Sequence, residues 1–439
     1  MKIIKNLILL YLRFLAKIQL WKVKPIVVGI GGASGKTSLA NFIYLILKDK
    51  YKIRQGKGKN SETGLPLNIL GISISNYSIF DWLKVVILAP LKILFDWKKY
   101  EIYVAEMGID SPKEPKNMSY LLKIIKPDIA VLTNISFEHS QYFEEVVKKK
   151  SIEETENEIF KLTSEQELLL LNSLGKNKTA ILNLDDLEIS NSQDKIISNK
   201  ITVSKNKSDF KISKILTTTK DFIVEFEHLG NKYSLKLNQS LTEHFAYSIV
   251  LAIATGFALD VKIEDAISSI ENNFSLPPGR MTVFAGVNDS TIIDSTYNSS
   301  PLPLLDLLDF LKNTKGKRKL AILGDMRELG VLSKKLHEEV AEKIIKTSDA
   351  AILIGPLMAE YVYPILKQNN FNVKFFNNFS QVKDQLKNLI EEEDIILVKA
   401  SQNTLFLERA VELLLKNPQD KQKLCRRGNF WDKKRHQSL

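Results

Sequence analysis

The chain has 439 residues, 44% of them hydrophobic and 26% charged, a balance that excludes large-scale disorder and leaves room for roughly two to four folded domains. The formal net charge of +11 admits nucleic acid, a membrane surface or an anionic substrate as partner, or a plain lysine bias; no nucleic-acid-binding signature accompanies it. The single cysteine, Cys425, excludes a disulfide within the chain and fits a reducing compartment.

Ile3–Leu20 is apolar but carries Lys5, Arg13 and Lys17. At helical spacing Lys2, Lys5, Asn6, Arg13 and Lys17 fall on one side and most of the Leu, Ile and Phe residues on the other, with Leu9 and Leu20 breaking the pattern. These charges predict a basic amphipathic helix rather than a membrane span, and the absence of a small-residue cleavage site argues against a signal peptide. Ile79–Trp97 is similarly apolar, broken by Lys84 and Lys92. Both stretches fit either packing on the domain's own core or peripheral contact with a membrane.

Pro25–Gly31, Ile102–Glu106 and Asp128–Asn134 read as short buried strands, and Lys36–Lys48 and Met118–Ile125 as helices. Such alternation predicts a parallel, doubly wound sheet, which binds ligands at the carboxyl ends of its strands. Glu144–Glu158 is polar and charged, Lys200–Leu237 alternates as an antiparallel patch would, and a helix is expected over Glu243–Phe257. Pro277, Pro278 and Gly279 mark a domain boundary. Beyond it the rhythm restarts, with strands at Thr291–Asp294, Lys319–Gly324, Ala350–Ile354 and Ile395–Lys399 and helices at Leu302–Leu311, Lys335–Ile345 and Leu405–Leu415. The expected organisation is α/β: an N-terminal helix (1–24), a central doubly wound domain that opens on a glycine-rich loop (25–277), a C-terminal Rossmann-like domain (278–417) and a frayed basic tail (418–439) in which Cys425 is a bystander.

The run Gly29-Ile30-Gly31-Gly32-Ala33-Ser34-Gly35-Lys36-Thr37 follows a strand and opens a helix. Glycines there let successive N–H groups face phosphate oxygens, and the helix N-terminus adds positive potential. Lys36 is placed for the terminal phosphates and the Thr37 hydroxyl for Mg²⁺. Ile30 departs from the strict G-x-x-x-x-G-K-T spacing. Glu106, ending its strand, is placed for the same cation. His139, shortly after the third strand, reads by itself as a surface or packing residue.

Taken in order, Gly32–Thr37, Asn60-Ser61-Glu62-Thr63-Gly64-Leu65-Pro66, Ala105-Glu106-Met107-Gly108 and Thr133-Asn134-Ile135-Ser136-Phe137-Glu138-His139 resemble the central ATPase domain of Mur ligases. Pro278-Gly279-Arg280, Asp294-Ser295-Thr296-Tyr297-Asn298-Ser299-Ser300-Pro301, Leu323-Gly324-Asp325-Met326-Arg327-Glu328-Leu329-Gly330 and Leu397-Val398-Lys399-Ala400-Ser401 extend the resemblance to about residues 25–415. The Tyr-Asn-x-x-Pro and Gly-Asp-Met-x-Glu-Leu-Gly runs are those of the member that adds D-alanyl-D-alanine. The resemblance implies an enzyme of peptidoglycan synthesis that uses ATP and Mg²⁺ to make an acyl phosphate on a muramoyl-peptide precursor, which the D-alanyl-D-alanine amine then attacks. It implies a cytoplasmic monomer with no nucleic-acid partner.

By the same resemblance, Gly32, Ala33, Ser34, Gly35, Lys36, Thr37 and Ser38 cradle the nucleotide, and Thr37 and Glu106 hold one Mg²⁺ while His139 helps hold a second. His244 lies on the helix expected near adenine; Arg280 and Asp294 match residues that reach ATP after domain closure. Asn60, Ser61, Tyr297, Asn298, Lys399 and Ser401 match substrate-side positions.

Three departures bear on function. Family members carry an N-terminal domain that grips the uridine nucleotide, where this sequence has the basic amphipathic helix; a lipid-linked acceptor at the inner face of the membrane would suit that helix. The family's carbamylated lysine aligns with Glu156, a carboxylate needing no modification, with Lys150 and Glu153 left open by the register. Ser248, Ala400 and Asn403 replace an asparagine and two glycines common in the family. Two further readings stay open: a Mur-type ligase for another carboxylate acceptor, and a non-catalytic, membrane-associated nucleotide-binding protein.

Overall fold

The computed structural model describes residues 2–56, 58–74, 78–95, 99–137, 140–147, 151–401 and 405–437. Contacts divide the chain into two compact units. One comprises Met1–Lys214, Glu225–Leu235 and Phe245–Phe274; the other Ile215–Val224, Lys236–His244 and Ser275–Leu439.

The strands of the first sheet are β1 (Ile26–Gly31), β2 (Ile53–Gln55), β3 (Ile102–Glu106), β4 (Ile129–Leu132), β5 (Thr179–Asn183), β6 (Asn199–Ser204), β7 (Phe210–Thr217), β8 (Phe222–His228) and β9 (Asn231–Leu237). Their order is β2-β3-β1-β4-β5-β6-β7-β8-β9. β1 pairs in parallel with β3 on one side and β4 on the other, with Ile30 beside Glu106 and Gly31 beside Leu132. The carboxyl ends of β3 and β4 therefore flank the glycine loop that leaves β1, which is where an open parallel sheet reverses its winding and receives ligands. Apart from Glu106 at the end of β3, these central strands are mainly apolar and buried, as strands of a parallel sheet covered on both faces are.

The second sheet contains β10 (Thr282–Ala285), β11 (Thr291–Ser295), β12 (Arg318–Gly324), β13 (Ala350–Ile354), β14 (Val373–Phe376) and β15 (Asp394–Lys399). Its order is β10-β11-β15-β12-β13-β14, parallel except where β10 meets β11. Its core is built from Ile292, Leu320, Ile322, Ile352, Ile396, Val398 and their neighbours.

Two expectations need correction, and one is completed. Within the polar segment Glu144–Glu158, the residues from Ile152 on begin a 21-residue helix, Ile152–Asn172. The helix starts at a capping box in which the Ser151 and Glu154 side chains each accept from the other's backbone N–H. Most of its charged residues face outward, while Thr155, Ile159, Thr163, Glu167 and Leu170 form a buried stripe. The tail does not fray: Leu424, Cys425 and Arg426 are buried, and Arg426 pairs with the buried Glu408 at 3.0 Å. The N-terminal helix Lys2–Val23 is not simply two-sided. Leu9, Leu12, Leu15 and Ala16 pack inward, while Lys17 shares the exposed stripe with Phe14 and Trp21.

Candidate active site

The loop after β1 is shaped by what surrounds it. Gly32 has φ +112°, and a Cβ there would lie 2.1 Å from Thr133 Oγ1, so only glycine fits. The strand keeps Ile30, fully buried and paired with Glu106, and the turn is compressed into Gly32–Gly35. Gly35 adopts the left-handed region (φ 82°) and opens the helix Lys36–Leu47.

Residues at the end of β4 brace this turn. Asn134 accepts from Ser34 N–H at 3.0 Å through its Oδ1, donates from Nδ2 to Ser34 Oγ at 2.9 Å, and accepts from Ala33 N–H through its carbonyl at 2.9 Å. The Thr133 hydroxyl donates to Ser34 O at 2.7 Å. From the other side, Glu167 on the helix Ile152–Asn172 accepts the Gly32 N–H at 2.8 Å. Sequence reasoning quoted Thr133 and Asn134 only as part of a motif and missed Glu167. For the first two the signal was their place at the carboxyl end of the strand beside β1; for Glu167 it was the inward position of an acid on a helix opened by a capping box.

Lys36 Nζ donates to the carbonyls of Gly32 and Ala33, the latter at 2.7 Å. Its cation is thus held over the loop by oxygens with which phosphate oxygens would compete. The Thr37 hydroxyl donates to Glu106 Oε2 at 2.8 Å. A hydroxyl and a carboxylate converging at a strand tip beside a phosphate loop are the hard oxygen donors that Mg²⁺ prefers, and so the residues present fit a nucleotide with its metal. Ser38 follows in the first turn of the helix.

Asn60 lies against the chain just beyond Glu106: its carbonyl accepts Gly108 N–H at 3.0 Å, and a Cβ on Gly108 would lie 2.7 Å from Asn60 Nδ2. Ser61 Oγ accepts Gly64 N–H at 3.1 Å and holds the short helix Gly64–Ile69. The structure therefore assembles Lys36, Thr37, Glu106, Asn60 and Ser61 at one edge of the sheet. Glu156 is half-buried in the second turn of the helix Ile152–Asn172. It shares a face with Glu167 and stands roughly 16 Å along the axis from it at 1.5 Å per residue. His139, Lys150 and Asn403 lie outside the described residues. His244 opens the helix His244–Phe257, and burial pushes its imidazole down to about 4, leaving it neutral at physiological pH.

The second unit has its own cluster at the carboxyl ends of β11 and β15. Asp294 is fully buried and accepts from the Thr296 hydroxyl at 2.6 Å and from Thr296 N–H at 3.0 Å. Burial outweighs these bonds and raises its carboxyl to about 6. The guanidinium of Arg280 lies 4.6 Å from the centre of the Tyr297 ring, and Arg426 lies 5.6 Å from it. Arg426 also donates to the carbonyls of Thr296 (3.1 Å) and Tyr297. Lys399, itself buried, donates to the Asn298 carbonyl at 2.8 Å. Ser401 Oγ donates to Ser299 O at 3.1 Å and accepts Arg327 N–H at 3.1 Å. Asp294, Tyr297, Asn298, Lys399 and Ser401 thus meet in one neighbourhood. Asp325, quoted only within a motif, accepts Met358 N–H at 2.9 Å, and burial raises it to about 6.

Known proteins share both domains of this chain. The Mur ligase middle domain matches residues 30–256, and the Mur ligase, glutamate ligase domain matches residues 279–402. UDP-N-acetylmuramoyl-tripeptide–D-alanyl-D-alanine ligase of Rickettsia prowazekii is 26% identical over 379 residues, spanning 85% of this chain and 75% of its own. The ligase of the same name from Bacillus subtilis is 24% identical over 413 residues, spanning 93% and 79%. Among solved structures, the MurF ligase of Thermotoga maritima in complex with ADP superposes with a TM-score of 0.70 at 25% identity, covering 92% of this chain and 83% of that one. MurF of Acinetobacter baumannii reaches 0.74 at 20% identity, covering 92% and 80%, and supports the fold. With a glycine loop between β1 and its helix, the Thr37 hydroxyl bonded to Glu106 and both domain signatures matched, the chain belongs to the Mur ligase family of ATP-dependent amide-bond ligases.

Proposed function

We propose that the chain joins D-alanyl-D-alanine to the terminal carboxylate of a muramoyl-tripeptide precursor. The Tyr297-Asn298 and Gly324-Asp325-Met326 runs and the names of the relatives support this choice of substrates. The observation that carries the reading is the Thr37 hydroxyl bonded to Glu106 at 2.8 Å beside Lys36.

A carboxylate at neutral pH is a poor electrophile, so its oxygen must first become a good leaving group. The carboxylate attacks the γ-phosphorus of ATP, ADP leaves, and an acyl phosphate forms. The dipeptide amine then attacks the carbonyl carbon, and phosphate departs from the tetrahedral intermediate. Lys36 is placed to meet charge on the phosphoryl oxygens, and the Gly32–Gly35 turn to orient the phosphate chain. Mg²⁺, held by Thr37 and Glu106, would neutralise charge on the transferring group. His139 and Glu156 belong to this reading as ligands of a second cation. Asn60, Ser61, Lys399 and Ser401 belong to it as groups around the substrates, and Arg280, Asp294 and His244 as groups around the nucleotide. The chain acts as a monomer in this reading.

The test is a panel of UDP-linked and lipid-linked muramoyl-tripeptides, scored by released phosphate. Release that requires both an acceptor and D-alanyl-D-alanine is expected; ATP binding with no amine-dependent turnover would sink the proposal. The exposed apolar helices described below favour the lipid-linked acceptor as the second reading.

A further inference from the structure

Two helices of the first unit, Lys2–Val23 and Ile79–Phe95, lie side by side on one apolar cluster. Leu12 and Leu15 from the first helix, and Val85 and Ala89 from the second, pack there with Leu67 and Leu70. Because both helices bury one side in the same cluster, their opposite sides face outward together. Each outward side is largely apolar. On the first helix the exposed stripe is Leu7, Leu10, Phe14, Lys17 and Trp21; on the second it is Phe80, Leu83, Ile87, Leu91 and Leu94. Both sets repeat at three- and four-residue intervals, so each forms one continuous stripe. Trp21 is 74% and Phe80 83% exposed. An outward apolar surface of this extent on a folded domain marks an interaction site.

Bonds between the helices fix the platform. Pro90 has no N–H, which leaves the carbonyl of Val86, one turn earlier, without its helical partner. The Tyr11 hydroxyl donates to that carbonyl at 2.8 Å. Lys22 Nζ donates to the Ile93 carbonyl at 2.5 Å, at the negative end of the second helix.

Charge identifies the occupant. The two helices together carry seven Lys or Arg residues and a single acid, Asp81. Exposed Lys17 and Lys84 sit on the helices that carry the apolar stripes, and Lys24 follows the first. No helix among the described residues is long and apolar enough to cross a membrane. Paired apolar stripes bordered by lysines suit an anionic bilayer surface, with rings and aliphatic chains among the acyl chains and ammonium groups among the headgroups. We propose that this two-helix platform docks the protein onto anionic lipid. The proposal goes beyond the ligase reading, and vesicle binding is read without substrates, so either can fail alone.

The experiment uses the full chain with phosphatidylcholine vesicles, with and without phosphatidylglycerol. Co-flotation with the anionic vesicles is expected, weaker at high salt, together with a blue shift of tryptophan emission that is reduced in Trp21→Phe. Phe14→Ser with Trp21→Ser on one helix, or Ile87→Ser with Leu94→Ser on the other, is expected to cut partition by about tenfold or more, with thermal unfolding unchanged. Lys17→Glu with Lys84→Glu is expected to weaken binding to anionic vesicles selectively. No partition into either vesicle, or equal partition into both, overturns the proposal. So does a concentration-dependent dimer abolished by the same serine substitutions, which would assign the face to a second copy.

Discussion

The Gly32 N–H donates to the Glu167 carboxylate at 2.8 Å, across 135 residues of sequence. This bond ties the first residue of the phosphate turn to the helix Ile152–Asn172, which packs beneath it closely enough that a Cβ on Gly31 would lie 2.9 Å from Glu167 Oε2. Glu167 thereby acts as a positioning residue. Glu167→Ala leaves a buried N–H unpaired, at a cost of about 1–3 kcal/mol in stability, and is expected to raise KM for ATP about tenfold. Glu167→Gln keeps an acceptor oxygen and should stay within a few-fold of the parent. Steady-state phosphate release and thermal unfolding of the two variants check this; equal KM values in both would remove the role.

Thr37 and Glu106 make a different kind of contribution. Glu106→Gln still accepts the Thr37 hydroxyl but lacks the charge a cation needs. Turnover is expected to fall on the order of a hundredfold, which is about 3 kcal/mol of transition-state stabilisation. The loss should be partly relieved at high Mg²⁺. Chelation should abolish activity in the parent, and added Mg²⁺ should restore it.

Asp294 makes stability depend on pH. Its carboxyl is raised by burial from 3.8 to about 6. Between those values the folded chain holds a proton that the unfolded chain has released. Stability therefore falls as pH rises from about 4 to about 6, and the penalty persists above that. Asp294→Asn still offers an oxygen to Thr296 and removes this residue's share of the slope. Relative to the parent, the variant should gain on the order of 2–3 kcal/mol between pH 4 and pH 7. Unfolding curves at stepped pH give the comparison, and parallel pH profiles would contradict it.

Arg426 neutralises the fully buried Glu408 and holds the Thr296 and Tyr297 carbonyls. Arg426→Met leaves the carboxylate with only the more distant Arg435, 3.6 Å away, and a loss of up to about 3–5 kcal/mol is expected from a broken buried pair. The double variant with Glu408→Leu should recover much of it, since two apolar groups replace two charges. Denaturant titration of the parent and the two variants provides the measurement.

The α/β alternation, the phosphate loop and the acid at the end of β3 could be read without coordinates because each is a local pattern. Glycines at a strand-to-helix turn, and apolar runs bounded by breakers, carry their meaning within a few residues. Expected and observed bounds of β1, β3 and β13 differ by one residue or none. The helix Ile152–Asn172 was hidden because its outward side is highly charged, although Ser151 and Glu154 announce its start. The tail was misjudged because its lysines and arginines suggested solvent, whereas Arg426 finds Glu408 only after the second sheet has formed.

What composition and order determined by themselves was where a glycine loop opens a helix and where strands alternate with helices, since those follow from backbone sterics and side-chain periodicity. Pairings between distant residues were decided by the tertiary structure alone: Glu167 on Gly32, Lys399 on Asn298, Tyr11 on the carbonyl that Pro90 leaves open. A side chain's partner across a hundred residues depends on sheet order and helix packing. Where such a bond is buried, as between Gly32 and Glu167, it is also necessary, because in the interior no water can take the partner's place.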